Sequence, residues 1–265
     1  MSRIRQTFEG LNKAGRKALI PFITAGYPDI STTEKFIFQL ERSGADLIEL
    51  GVPFSDPMAD GPVIQAASEH SLRKGTTLKK ILDLVKRVRK KTELPILLMG
   101  YYNPFFTFGL EKFADEAKKA GVDGVLVVDL PPEEAGALKA ETDRTGLDLI
   151  FLLAPTSDAT RIKRIAKNAS GFIYYVSLTG VTGVRSQLDK DIRNQVVQIK
   201  KQSNLPVGIG FGISTPEQAK RVAHWADAVV VGSAIIKIIE NSTTPEASIK
   251  NVGQFVRGLK RAISQ

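Results

Sequence analysis

No cysteine occurs among the 265 residues, which excludes disulfides, thiolate metal sites and a cysteine nucleophile. Histidine is nearly as scarce. The two present, His70 and His224, fall within helical patterns and read as surface or helix-packing residues, leaving little from which to build a histidine base or an imidazole-bound metal. No apolar run approaches the roughly 18 residues of a membrane span. Residues 1–6 are polar and basic without the apolar centre of a secretory signal. A soluble, cytoplasmic protein without a metal is expected.

What the chain does have is a hydrophobic content of 43%, ample for a core, and a net charge of +9. Such a charge raises the question of nucleic acid or membrane partners. In its densest basic segment, from Arg73 to Lys91, the residues Leu78, Ile81, Leu82, Val85 and Val88 recur at helical spacing. The lysines and arginines therefore fall mainly on the solvated face of an amphipathic helix. No aromatic-basic interleaving or nucleic-acid motif accompanies them.

Short apolar runs alternate with longer helical patterns throughout. Strands are expected at 19–24, 46–50, 95–99, 124–128, 148–153, 172–177, 206–210 and 227–231. Helices are expected at 110–120, 133–142, 158–167, 191–201 and 245–263, with capping-box starts at Ser31-Thr32-Thr33-Glu34 and Ser214-Thr215-Pro216-Glu217. Ser43-Gly44-Ala45-Asp46 and Ala120-Gly121-Val122-Asp123 repeat one order of helix end, glycine and strand start. Eight strands alternating with helices favour the α/β class and a single (β/α)8 TIM barrel over residues 1–265. An extra N-terminal helix precedes it, and the longest inter-strand interval marks an insertion after the second strand. An open doubly wound sheet stays possible, since periodicity does not count closure.

In such barrels the chemistry sits at the C-terminal strand ends. Those ends carry Phe22 and Thr24, Glu49, Gly100 to Asn103, Asp129, Tyr174, Gly210-Phe211-Gly212 and Gly232-Ser233. Glu49 opens the stretch Glu49-Leu50-Gly51-Val52-Pro53-Phe54-Ser55-Asp56-Pro57-Met58-Ala59-Asp60-Gly61-Pro62. A carboxylate ending an apolar strand is costly unless it has a task. Glycines cluster after the last three strands, at Gly180-Val181-Thr182-Gly183, Gly210-Phe211-Gly212 and Gly232-Ser233-Ala234, where barrels commonly bind phosphate through backbone N–H groups. No lysine stands at these ends, which argues against a Schiff-base aldolase. Acid–base work falls to carboxylates and tyrosines. Phe22, Tyr101, Tyr174 and Phe211 suggest a flat apolar substrate body joined to a phosphorylated tail.

These motifs, with Val127-Val128-Asp129-Leu130-Pro131, occur in the order of one family, and the chain closely resembles the alpha subunit of tryptophan synthase. The resemblance implies a barrel that cleaves indole-3-glycerol phosphate into indole and glyceraldehyde 3-phosphate without a cofactor of its own. The indole would pass to a pyridoxal-phosphate-dependent beta subunit in an alpha2-beta2 assembly. By position in the family motif, Glu49 is the general acid/base at indole C3 and the glycerol hydroxyl, and Asp60 serves the indole N–H. Phe22, Tyr101, Tyr174 and Phe211 would line the indole pocket, and Thr182 would position Asp60. Gly183, Gly212, Gly232 and Ser233 would bind phosphate, and Asp56 would be a loop and partner-contact residue. Gly100, where some relatives carry a larger apolar residue, would loosen the pocket. Two rivals remain at this level: a phosphate-binding isomerase barrel, and a barrel kept chiefly to activate a partner.

Overall fold

The computed structural model describes residues 1–176, 185–210 and 212–264, with backbone alone over 185–191. Helix α1 (Arg3–Lys13) precedes strand β1 (Ala18–Thr24), then come α2 (Ile30–Arg42), β2 (Ile48–Gly51), α3 (Pro62–Arg73), α4 (Leu78–Val88) and β3 (Ile96–Gly100). Next are α5 (Tyr102–Phe108), α6 (Leu110–Ala120), β4 (Gly124–Val127), α7 (Gly136–Thr145), β5 (Asp148–Leu153), α8 (Ala159–Asn168) and β6 (Ile173–Val176). The chain ends through α9 (Arg185–Gln202), β7 (Val207–Gly210), α10 (Pro216–Ala223), β8 (Ala228–Val231), α11 (Ser233–Glu240) and α12 (Pro245–Ile263). The eight strands pair in sequential order and close, β8 returning to β1, which removes the open-sheet alternative.

The strands read as continuous apolar runs because both of their faces are covered. Alternation sends Ala18, Ile20, Leu97, Leu126, Ile150, Phe172, Ala228 and Val230 into one inner cluster, while the opposite faces pack against the helices. Helix α1 stops the lower end of the barrel with Ile4, Phe8 and Leu11, and the Phe8 ring centroid lies 5.6 Å from that of Phe172. The insertion after β2 is α3, whose Ser71 hydroxyl donates to the Ala25 carbonyl at 2.5 Å. On α4 the residues Leu78, Ile81, Leu82, Val85 and Val88 are buried, and Arg87 pairs with Glu34 at 3.1 Å and Lys79 with Glu116 at 3.2 Å. The basic face is thus partly neutralised by neighbouring helices.

Several helix starts differ from expectation, α9 beginning at Arg185 ahead of the expected residue 191. Asp29, not Ser31, caps α2 by accepting the Thr32 N–H, because a carboxylate two residues earlier already satisfies that donor. At α10 the cap is Thr215 and its reciprocal partner is Gln218 rather than Glu217. Helix α7 also starts later than expected, at Gly136, since Glu133 is drawn outward to Arg161 and Arg164 of α8. No described helix is long and apolar enough to cross a membrane.

Under the barrel, four residues just ahead of the even strands repeat one arrangement. Asp46, Asp123, Ser170 and Asp227 each donate their N–H to the carbonyl of the first or second residue of the preceding strand: Leu19 at 3.0 Å, Ile96 at 2.9 Å, Leu149 at 2.9 Å and Val207 at 2.8 Å. Each side chain accepts that same residue's N–H in return, at 2.7, 2.8, 2.8 and 2.9 Å. The three aspartates each meet a cation: Lys260 at 2.5 Å, Arg89 at 2.8 Å and Lys200 at 2.8 Å. The neutral serine carries no charge to compensate. Two of these clamps are the repeated Gly-x-Asp phrases of the sequence.

Candidate active site

Glu49 stands in β2 beside Phe22 of β1 and Leu97 of β3. Leu97 belongs to the inner cluster, so the register points Glu49 into the barrel. It is 1% exposed, and its Oε1 has no hydrogen-bond partner among the described residues. Burial, helped by the charge of Asp60, pushes its carboxyl up to about 8, since an apolar surrounding disfavours the ionised form. At neutral pH it is therefore an acid holding its proton. Tyr174 of β6 feels it across the barrel: burial first, and the Glu49 charge second, hold the phenol well above its ordinary value.

Asp60 reaches the same space from the loop between β2 and α3. Two backbone bonds fold that loop, Met58 N–H to Asp56 O at 2.9 Å and Asp60 N–H to Pro57 O at 3.0 Å. Gly61 is the N-cap of α3 and Pro62 its first residue, so the Asp60 side chain is not spent on capping. The Tyr101 hydroxyl donates to Asp60 Oδ2 at 3.2 Å and accepts the Ala59 N–H at 3.0 Å. The Phe54 ring backs Tyr101 at 5.3 Å between centroids. Burial raises the Asp60 carboxyl and the Tyr101 hydrogen bond opposes that rise. One acid lies deep and unpartnered, the other nearer the rim and hydrogen-bonded.

Around them Gly51 and Gly210 leave no room for a side chain, whereas a Cβ at Gly232 would make an ordinary contact. A side chain at Gly51 would come within 2.6 Å of the Phe22 ring, and one at Gly232 within 3.4 Å of Phe22 Cβ. At Gly210 a Cβ would collide with the Tyr174 hydroxyl and lie 2.7 Å from its Cζ. Gly210→Ala is therefore expected to destabilise the fold by about 1–3 kcal/mol and to lower kcat/KM by displacing Tyr174; adding Tyr174→Leu should recover part of the stability in thermal melts. On the β8 side, Ser233 opens α11 after Gly232, with no side-chain cap on the helix. The first N–H groups of a helix have no partner within it, and its dipole favours an anion there. Gly212, exposed and with φ 71°, lies after β7.

The chain's profile agrees with this arrangement: residues 8–264 match the family described as tryptophan synthase alpha chain. The chain belongs to the tryptophan synthase alpha chain family. The tryptophan synthase alpha chain of Citrifermentans bemidjiense is 58% identical over 99% of this chain and 98% of its own length. That of Geotalea uraniireducens is 59% identical over the same shares. Among solved structures, tryptophan synthase subunit alpha from Legionella pneumophila superposes with a TM-score of 0.91 at 42% identity, covering 99% of this chain and 98% of that one. A chain of the open form of Mycobacterium tuberculosis tryptophan synthase gives 0.90 at 31% identity, covering 100% and 99%.

Within this alpha-chain barrel, Glu49, Asp60, Phe22, Tyr101, Tyr174, Gly212, Gly232 and Ser233 all lie toward the C-terminal end of the strands. Thr182, Gly183 and Phe211 lie outside the described residues. Asp56 is exposed and accepts the Ser55 hydroxyl at 2.5 Å, as fits a loop residue. The expectation for Gly100 fails: strand alternation turns it away from the barrel interior, where a Cβ would sit 3.1 Å from the Phe105 ring and from Val52. It makes room for helix packing and does not widen the pocket. Three features escaped the sequence reading: the Phe54 ring, the Ala59 N–H, and the role of Asp129, which accepts the Tyr102 N–H at 2.7 Å and so anchors the start of α5. Only Asp129 left a signal, as a carboxylate closing the fourth strand. Among the described residues no group of three or more His, Asp or Glu could hold a metal.

Proposed function

We propose that Glu49 and Asp60 carry the proton transfers by which this alpha chain cleaves indole-3-glycerol phosphate into indole and glyceraldehyde 3-phosphate. The observation that carries the assignment is the buried, unpartnered Glu49 carboxyl held protonated opposite a second, hydrogen-bonded carboxylate. Environments that push two carboxyl groups apart divide acid from base work.

The reaction passes through an indolenine. Glu49 gives its proton to indole C3 while the Asp60 carboxylate takes the N1 proton, producing the indolenine. Glu49, now ionised, removes the proton of the glycerol hydroxyl next to the ring; the C–O bond becomes a carbonyl, the carbon–carbon bond breaks, and its electrons pass into the ring. Asp60 returns its proton to N1. Both carboxyl groups end as they began, and the ring itself is the electron sink, so the chain needs no cofactor. Phe22, Tyr101, Tyr174 and Phe211 would hold the indole; Gly183, Gly212, Gly232 and Ser233 would take the phosphate, with Thr182 steadying Asp60.

On the same rim Met58 is 86% and Phe106 60% exposed. Apolar side chains left open beside a site suit a partner surface. We assign this rim to a pyridoxal-phosphate-dependent beta subunit, in an alpha2-beta2 assembly in the cytoplasm that consumes the released indole.

Asp60→Asn is expected to reduce indole release from indole-3-glycerol phosphate by about 10²-fold or more, the scale of one general acid–base contribution. The same variant should still stimulate tryptophan formation from serine and indole by a beta subunit. Full indole release by the variant would remove Asp60 from the mechanism.

A further inference from the structure

Two buried oxygens on neighbouring strands lack partners among the described residues. One is Glu49 Oε1; the other is Thr24 Oγ1, on a residue 1% exposed at the end of β1. Buried hydroxyls are nearly always hydrogen-bonded, and one left alone calls for an explanation. Thr24 shares a strand face with Ala18, Ile20 and Phe22, and Ala18 and Ile20 belong to the inner cluster. Its register partner is Gly51 of β2, which in turn pairs with Met99 of β3. Glu49 pairs with Phe22, so Thr24 lies one inward-facing position above the acid, toward the mouth. At usual strand spacings the two Cα atoms stand about 8 Å apart, close enough for both side chains to serve adjacent atoms of one ligand. The Phe22 ring lies against Gly51, forming an apolar wall beside both.

We infer that Thr24 is a substrate-binding residue whose hydroxyl bonds the second hydroxyl of the glycerol chain, on the carbon between the cleaved bond and the phosphate-bearing carbon. The inference rests on the lyase reading above. The substrate carries two adjacent hydroxyls: one must face Glu49 to lose its proton, and its neighbour then needs a partner in an otherwise apolar layer. Thr24 supplies that partner and fixes the chain's rotation, so that the reacting hydroxyl meets Glu49. An unpaired hydroxyl in the free enzyme is the cost of having it ready.

The test compares wild type, Thr24→Val and Thr24→Ser in the full chain. Three ligands are used: indole-3-glycerol phosphate, its analogue lacking the second hydroxyl, and the indole with an unsubstituted three-carbon phosphate tail. For the natural substrate Thr24→Val should lower kcat/KM about tenfold, the scale of one buried hydrogen bond left unmade, and Thr24→Ser should restore most of it. On the analogue lacking the second hydroxyl, wild type and Thr24→Val should be equal. Affinity for the unsubstituted tail should be unchanged, and Thr24→Val should melt at a higher temperature than wild type, because the unpaired hydroxyl is gone. Equal losses on all three ligands would make Thr24 a packing residue and overturn the inference, as would an unaltered kcat/KM for the natural substrate. A wild-type chain that releases no indole would instead overturn the lyase reading, and this inference with it.

Discussion

Changing Glu49 to Gln is expected to cut indole release by at least about 10³-fold, because the residue serves two successive proton transfers, while the fold becomes less sensitive to alkali. The carboxyl sits at about 8 in the folded chain against an ordinary 4.5, so the folded protein holds this proton where the unfolded chain has lost it. Stability from this group is complete below the ordinary carboxylate range and is lost as pH rises through 4.5 toward about 8. That gap amounts to roughly 4–5 kcal/mol. Gln has no proton to lose, so thermal melts of the variant and wild type should agree most closely near pH 5 and diverge in the variant's favour up to pH 9. A Gln variant that loses activity without this divergence would show that Glu49 is ionised in the free enzyme. A group both essential for turnover and harmful to stability is the expected mark of a functional site.

The second large effect lies at the other end of the barrel. Asp123 is 6% exposed and accepts from the Ile96 N–H, from Arg89 at 2.8 Å and from Arg3 at 3.1 Å. Arg89 also donates to the carbonyls of Gly121, Thr92 and Leu94, so its guanidinium ties the α4–β3 connection to the start of β4. Asp123→Ala leaves that half-buried cation uncompensated and one strand N–H unpaired, a loss of about 3–5 kcal/mol, or a drop of roughly 10 °C in Tm. Arg3, partly exposed, should cost less than about 1 kcal/mol when changed to Ala. Thermal melts of the two variants side by side decide this: similar small shifts would mean that the clamp contributes little. Activity at a temperature where both remain folded should stay near normal, since neither residue approaches Glu49.

How much of this was legible depended on which forces act locally. Strand positions were readable to within one or two residues, because strands covered on both faces must be apolar throughout. The long α12 was read at its observed bounds, since Pro245 and the helical spacing up to Ile263 are local signals. Local competition between caps was not readable: Ser31 and Asp29 are both good capping residues, and only the path after Pro28 selects Asp29. The short α5 was missed as a helix because its aromatic residues and its proline mask the periodicity, and the inserted α3 was anticipated only through the helical pattern around His70. In the site, Glu49 stood out because a carboxylate ending a buried strand contradicts its surroundings. The hydrogen bond from Tyr101 to Asp60 spans 41 positions in sequence and belongs to tertiary structure alone. Gly100 misled for a related reason: a missing side chain does not announce which face of the strand it is missing from.

The measurement that bears most directly on the account is the pH dependence of kcat/KM for indole release by the purified chain, which reports the protonation states of the free enzyme. With Glu49 acting first as an acid, the profile should stay level near neutrality and fall above about 8, approaching tenfold per pH unit. A kcat/KM that stays level or climbs through pH 9 would contradict it, because the group that starts the reaction would then be working without its proton.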